Sequence, residues 1–357
     1  MNHADHHPCV VFGATFGRLY VDALLLDSTG YRLIGLGGQG GRRTLDLARH
    51  ASVPWLAPGE PLPADARLAC VVVRSGLLGG RGSEIVERCL RAGIDVVQEH
   101  PVHQRELASH VRLARQHGAR YYLNTFYDCL PAVVAFVRRA RELQAEGGAM
   151  HLELWSSYQV AFAGVDLLSH LGSVAALQLD AAAPAVPEVP AGHADGPLFR
   201  RLSGRLGSGM TVGMRVDMSL DPRDPDEHPH LLLRAELVCR AGTLMLADAH
   251  GPVLWLPRPR VPDGRHEAAD PHRDRHACLF PAHEGGFDET LRSLWPGAIA
   301  SLLKQVRAED GGMAWLVRAQ RHLDVCGAWS QISGALGLPA LMRRASARDA
   351  GEVADVA

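Results

Sequence analysis

Cys9-Val10-Val11-Phe12-Gly13-Ala14-Thr15-Phe16-Gly17-Arg18-Leu19-Tyr20 sets an apolar run, two glycines four residues apart and the start of an amphipathic segment in direct succession. A short apolar run closed by glycine reads as a buried strand, and the segment from Arg18 reads as a helix. In a doubly wound fold this first turn bends at one glycine, brings strand and helix together at another, and aims helix-start N–H groups at a pyrophosphate. Gly13 and Gly17 stand in those places, with Thr15 where a middle glycine is usual. The competing reading is an ordinary strand-to-helix turn. The position of the motif, in the first strand–helix unit, favours a dinucleotide held by Gly13, Thr15, Phe16, Gly17 and Arg18.

Outward from this turn, residues 9–124 alternate apolar runs with amphipathic stretches, the pattern of a parallel sheet covered by helices. Strands are expected at 9–12, 31–36, 69–73, 94–98 and 120–123, and helices at 18–26, 43–50, 83–92 and 104–117. A helix at 131–146 runs into Gly147-Gly148, where the texture changes. Beyond it, strand-like runs at 151–155, 210–220, 231–240, 243–247 and 253–256 alternate with turn signals, while 181–196 and 257–276 read as long loops. Stretches 287–307 and 313–336 have helical spacing. The fold class expected is α/β: an N-terminal Rossmann doubly wound parallel sheet, then an α+β second domain with a mostly antiparallel sheet. The boundaries read as 1–125 for the NADP-binding domain, 126–310 for the substrate and dimerisation domain, and 311–357 for a C-terminal helical segment and tail.

The chain of 357 residues is long for a single core. Its 47% hydrophobic and 21% charged content is that of a globular protein, and a net charge of -2 gives no footprint for nucleic acid. No apolar run approaches the roughly 20 residues of a membrane helix, and Met1 to Pro8 lacks the basic and apolar regions of a signal peptide, so a cytoplasmic protein without membrane contact is expected. Seven scattered cysteines without a CxxC pair read as small core residues. The histidines at 3, 6, 7, 266, 272 and 276 lie in polar tail and loop sequence and read as no metal site.

The end of the second strand usually carries an acid that accepts from the ribose 2′-hydroxyl. Here the chain reads Leu36-Gly37-Gly38-Gln39-Gly40-Gly41-Arg42-Arg43, without one. Gly40 and Gly41 N–H groups and the guanidinium of Arg42 or Arg43 suit a 2′-phosphate, which selects NADPH over NADH. The alternative is that both arginines are solvated helix-start residues. Arg74 and Ser75, after the third strand, should reach the cofactor from the same edge, with solvation as the alternative.

After the fourth strand comes Gln98-Glu99-His100-Pro101, at the carboxyl edge where such sheets bind ligands. Here the chain resembles the glucose-fructose oxidoreductase/inositol dehydrogenase (Gfo/Idh/MocA) superfamily, whose motif is Glu-Lys-Pro, with His100 replacing the lysine. Together with residues 12–20, the motif resembles the thiazolinyl imine reductases of siderophore assembly. The resemblance is strongest through about Val134. It implies NADPH-dependent reduction of a thiazoline C=N bond to a thiazolidine, on an intermediate thioester-linked to a nonribosomal peptide synthetase carrier domain; a homodimer, joined through a sheet face of the second domain, is expected separately. The imine carbon receives hydride and its nitrogen needs a proton from a positioned acid. His100 and Tyr127, in the loop after the fifth strand, are the two candidates, with Glu99 and His100 beside the cofactor. A turn-shaping histidine and a half-buried loop phenol are the alternatives. Asp166-Leu167-Leu168-Ser169-His170 resembles the Asp-x-x-x-His of the superfamily's sugar dehydrogenases, and i,i+4 spacing puts both side chains on one helix face. Asp166 and His170 therefore line a substrate pocket or make only a helix-face hydrogen bond. A sugar or polyol dehydrogenase using them, and a non-catalytic nucleotide-binding scaffold, are the competing functions.

Overall fold

Burial on both faces is what makes a strand read as an unbroken apolar run, and β4 (Leu68–Val71) is buried at every position. It sits in a sheet with β1 (His7–Phe12), β2 (Tyr31–Gly37), β3 (Trp55–Leu56), β5 (Asp95–Glu99) and β6 (Tyr121–Asn124). The order is β3-β2-β1-β4-β5-β6, with every pairing parallel. Chain order reverses between β1 and β4, and at that switch point the carboxyl ends of the strands open a crevice. Helices α1 (Gly17–Leu25), α2 (Arg42–His50), α3 (Gly82–Arg91) and α4 (Gln104–Gln116) make the crossovers. The start of α4 is fixed by a capping box between His103 and Glu106. The computed structural model describes residues 6–26, 28–75, 79–147, 149–180, 199–220, 233–258, 275–309 and 312–341.

By contact the chain divides into one unit of Met1–Val134 with Ala282–Gly327, and a second of Ala135–Pro281 with Ala328–Ala357. The expected segments, 126–310 and 311–357, follow the chain instead; residues 282–327 belong with the parallel sheet. The cause is aromatic. Trp295, the first residue of α8 (Trp295–Ala308), packs tilted against the Phe126 ring at 5.2 Å and against Phe16 at 6.1 Å. The Trp315 indole N–H donates to the Tyr121 carbonyl at 2.9 Å. The helix expected over 287–307 is built as α7 (Phe287–Glu289), a π-helical turn at Thr290–Leu294, and α8. Helices α5 (Pro131–Ala145) and α9 (Met313–Leu336) match their expected spans closely and each pass from one unit into the other.

The second unit is an eight-stranded sheet of β7 (Ala149–Ser157), β8 (Gln178–Leu179), β9 (Phe199–Arg205), β10 (Thr211–Asp217), β12 (Leu233–Cys239), β13 (Gly242–Leu246), β14 (Val253–Pro257) and β15 (Ala277–Phe280). Its order is β15-β14-β13-β12-β7-β10-β9-β8, antiparallel except where β10 meets β7. Alternation shows in β12, where Leu233, Ala235, Leu237 and Cys239 are buried. On one face lies α6 (Ala161–Ser169), packed so closely that a methyl group on Gly164 would come 2.8 Å from Leu154. The single strand expected at 210–220 is interrupted at Met218, and its end, β11 (Ser219–Leu220), pairs with β16 (Ala340–Leu341).

Cysteines are buried except Cys278, which is exposed, contrary to the core reading. Among the described residues no helix is long and apolar enough to cross a membrane. The loop expected at 181–196, most of that at 257–276, residues 231 and 232, the tail beyond 341, and His3, His266 and His272 lie outside the described residues.

Candidate active site

Gly13 has φ +108°, and a Cβ there would lie 2.3 Å from the Val72 carbonyl oxygen, so only glycine fits the bend after β1. Its N–H donates to Gly37 O at 3.0 Å, tying the first turn to the end of β2. The close approach expected at Gly17 falls on Gly13 instead: a Gly17 Cβ would meet Val11 and Val72 only at 3.6 Å, an ordinary contact. Helix α1 begins with Phe16 as N-cap, without a side-chain cap and without an acid in its first turn. Its first N–H groups and the positive end of its dipole are therefore available to an anion. Thr15 and Arg18 are exposed, while the Phe16 ring turns into the aromatic cluster with Phe126 and Trp295.

Beyond β2 the chain passes Gly40, at φ +76° with its Cβ position 2.7 Å from Trp55, to Gly41, the open N-cap of α2. The two arginines part here. Arg42 pairs at 3.6 Å with Asp46 along its own helix, whereas Arg43 Nη1 donates to Thr15 Oγ1 at 3.2 Å. Arg43 is thus brought from the second strand–helix unit to the phosphate turn of the first. After β4, Arg74 is exposed and Ser75 is buried, its hydroxyl without a hydrogen-bond partner among the described residues. Gly80 N–H donates to Ser75 O at 3.0 Å and Gly82 N–H to Arg74 O at 2.8 Å, folding the start of α3 back over this strand end. The glycine-only bend, the uncapped helix start and the unpartnered hydroxyl all fit a dinucleotide, and the end of β2 carries arginines and no acid.

At the end of β5, Glu99 and His100 are neighbours in space as well as in sequence. Glu99 Oε1 lies 3.3 Å from His100 Nδ1, and both side chains are 12% exposed. Glu99 Oε2 accepts from the Tyr20 hydroxyl on α1, and Asn124, the residue paired with Glu99 across β5 and β6, donates to that hydroxyl and to Oε2 at 3.4 Å. Burial pushes the Glu99 carboxyl up to about 8, against the pull of Tyr20, the His100 N–H and Asn124. Tyr20 is itself held far above the ordinary phenol range by burial and by Glu99. The His100–Pro101 peptide is cis. Tyr20 and Asn124 were not among the sequence candidates. The signal existed: a tyrosine between Leu19 and Val21 must find a partner for its hydroxyl, and an asparagine ending a strand faces the carboxyl edge.

Tyr127 follows β6 in a one-turn 3₁₀ segment, Tyr127–Cys129, entered through Phe126 at φ +46°. It is 5% exposed, and its ring lies 4.6 Å from Phe126 and 6.5 Å from Trp295. Its neighbour Asp128 is held by Arg321 of α9 at 3.5 Å. In the second unit, Asp166 is buried on α6, and His170 is the C-cap rather than a helical residue. A carboxylate oxygen and a ring nitrogen of the pair come within 4.8 Å. His170 Nδ1 also lies 3.2 Å from Arg141 Nη2, and Ser169 donates to Asp166.

A six-stranded parallel sheet with this turn, this strand-end arginine and a carboxyl–imidazole pair at its carboxyl edge is the architecture of a nicotinamide-dependent oxidoreductase. Over its parallel-sheet part the chain is similar to the Gfo/Idh/MocA oxidoreductases. Residues 8–125 match the model described as the oxidoreductase family, NAD-binding Rossmann fold, and residues 148–256 match that described as thiazolinyl imine reductase Irp3-like, C-terminal. No curated protein matches the chain in sequence. Among solved structures, GenD2 from gentamicin A biosynthesis in complex with NAD superposes with a TM-score of 0.63 at 12% identity, covering 96% of this chain and 98% of that one. Levoglucosan dehydrogenase with NADH and levoglucosan gives 0.63 at 12% identity over 93% and 98%. A 3-ketoreductase from Actinomadura kijaniata with TDP-benzene and NADP gives 0.63 at 12% identity over 94% and 99%. At such identities these likenesses speak for the fold.

Proposed function

We propose that the protein uses NADPH to reduce the C=N bond of a thiazoline to a thiazolidine on a siderophore intermediate, itself thioester-linked to a nonribosomal peptide synthetase carrier domain. The observation that carries the reading is the match of residues 148–256 to the C-terminal domain of thiazolinyl imine reductases. It agrees with the site, where an imidazole, His100, stands beside a buried carboxyl at the carboxyl edge of the sheet.

When bound, the reduced nicotinamide supplies hydride to the imine carbon. Gly13, Gly17 and the start of α1 hold the pyrophosphate, and Arg43, with Gly40 and Gly41, holds the 2′-phosphate. Ser75 and Arg74 add contacts from the end of β4. His100 donates the proton to the ring nitrogen. Tyr127, packed in its aromatic cluster, is the second donor candidate and otherwise shapes an apolar wall. The protein works as a homodimer in the cytoplasm.

The reading is checked by mixing the protein with a thiazolinyl thioester mimic and following loss of NADPH absorbance. Turnover faster with NADPH than with NADH is expected. The proximity of Asp166 and His170 favours a second reading, a sugar or polyol dehydrogenase with that pair as its base. Reduction of NADP⁺ by a free sugar or polyol, with no reaction of the mimic, would establish it in place of the first. Tight NADPH binding without hydride transfer to any imine or alcohol would leave a scaffold.

A further inference from the structure

Glu99, at the carboxyl edge of the sheet, is enclosed by three separate elements. Tyr20 reaches it from α1, Asn124 from β6 and His100 from the turn after its own strand. Cys70 on β4 also acts electrostatically on Tyr20, and the buried Gln98 precedes Glu99 on β5. The enclosure divides the carboxyl's two oxygens. Oε2 faces a hydroxyl and an amide N–H, both donors, while Oε1 faces the Nδ1 of His100. A carboxyl whose second oxygen meets a ring nitrogen that either donates or accepts can place its own proton between the two.

We propose that Glu99 is a positioning residue that aims and reloads the proton His100 delivers: its carboxyl O–H donates to His100 Nδ1 and holds the ring in the Nε2–H tautomer. With burial pushing this carboxyl up to about 8, most molecules carry the proton at neutral pH. Imidazole in water, by contrast, is largely neutral at pH 7 and gives up a proton poorly unless its other nitrogen is recharged at the same time. The role in turnover rests on the imine-reductase reading; the tautomer does not.

In the reductive step the Nε2–H bond breaks and an N–H bond forms on the substrate's ring nitrogen. The Glu99 O–H bond breaks, and its proton passes to Nδ1. The imidazole stays neutral throughout, changing from the Nε2–H to the Nδ1–H tautomer, and the charge left behind is one carboxylate. Tyr20 and Asn124 already donate to Oε2, over which the carboxylate shares this charge with Oε1. The two electrons arrive with the hydride at the imine carbon; after product leaves, a proton from solvent enters at Nε2 and the Nδ1 proton returns to Glu99.

Nitrogen-15 NMR of the imidazoles in the full-length protein, with the His100 signal assigned from His100→Gln, tests the tautomer without any substrate. The wild type should show Nε2–H at neutral pH and pass to Nδ1–H as pH rises through about 8. Glu99→Gln should keep Nε2–H at every pH, because the amide still donates to Nδ1 but has no proton to pass on. Tyr20→Phe, which loses a donor to the carboxylate, should move the midpoint upward. A wild-type ring already Nδ1–H at neutral pH, or a switch unchanged in Glu99→Gln, overturns the proposal. With the thiazolinyl mimic, Glu99→Gln should lose about a hundredfold in kcat, the scale of general-acid catalysis, with KM and NADPH affinity within about twofold. Unchanged kcat would equally overturn it. A wild type that leaves the mimic untouched contradicts the substrate reading, while the NMR result still decides Glu99.

Discussion

Two adjacent arginines in the same motif do different things, and the difference is geometric. Arg42 is 95% exposed and engages Asp46 one helical turn on; Arg43 crosses to Thr15 in the phosphate turn. Only the latter stands where the first two strand ends converge, so the proposed 2′-phosphate preference is assigned to it. A charge-assisted hydrogen bond contributes about 1.5–3 kcal/mol. Arg43→Ala should therefore weaken NADPH binding by roughly ten- to a hundredfold. NADH binding should be nearly unaffected, and Arg42→Ala should cost much less. Titrating the quenching of protein fluorescence by each cofactor measures this; equal losses for NADPH and NADH in Arg43→Ala would count against the assignment. The sequence shows an arginine pair and a missing acid, but the choice between neighbours depends on side-chain direction at a helix N-terminus, which no spacing encodes.

Elements were readable where burial is one-sided or complete, and opaque where it is neither. β1, β4 and β5 announce themselves as apolar runs, and the amphipathic helices by their period. Edge strand β3 is two residues long, Trp55-Leu56, and β9 is Phe199-Arg200-Arg201-Leu202-Ser203-Gly204-Arg205, with only Leu202 and Gly204 buried. Such strands are defined by a neighbour's backbone rather than by their own side chains. Helix α8 was legible as a helix but not as part of the nucleotide-binding unit, because periodicity states which face is buried and not against what. Its Trp295, 2% exposed, joins Phe16 at the head of α1 to Phe126 before Tyr127. Emptying such a site costs about 3–5 kcal/mol. Trp295→Ala should thus lower the melting temperature of the nucleotide-binding unit by on the order of 10 °C. NADPH affinity should fall with it, since Phe16 loses its support. Differential scanning calorimetry with and without NADPH reads both, and a melting temperature unchanged by the substitution would show that α8 does not hold this unit together.

Over the whole molecule, Glu99 and His110 pull stability in opposite directions with pH. Glu99 keeps its proton up to about 8 when folded but releases it near 4.5 when unfolded, so between these values the native chain binds the extra proton and stability falls as pH rises. His110, buried beneath Tyr121, is pushed down to about 4 from 6.5; there the unfolded chain binds more protons and stability falls as pH drops. His7, shifted the same way by burial and nearby arginines, adds to the acid side. From 4.5 to 6.5 the two slopes offset each other, which flattens the curve. Above 6.5 Glu99 acts without that opposition, at about 1.4 kcal/mol per pH unit. Stability should therefore decline by about 2 kcal/mol towards pH 8. Glu99→Gln should abolish this decline, and His110→Gln should relieve the loss below 6.5. Urea unfolding across that range measures both. A wild-type curve flat above 6.5, or a decline persisting in Glu99→Gln, would mean that Glu99 is ionised in the folded protein, and the same result would remove the proton that His100 is proposed to receive.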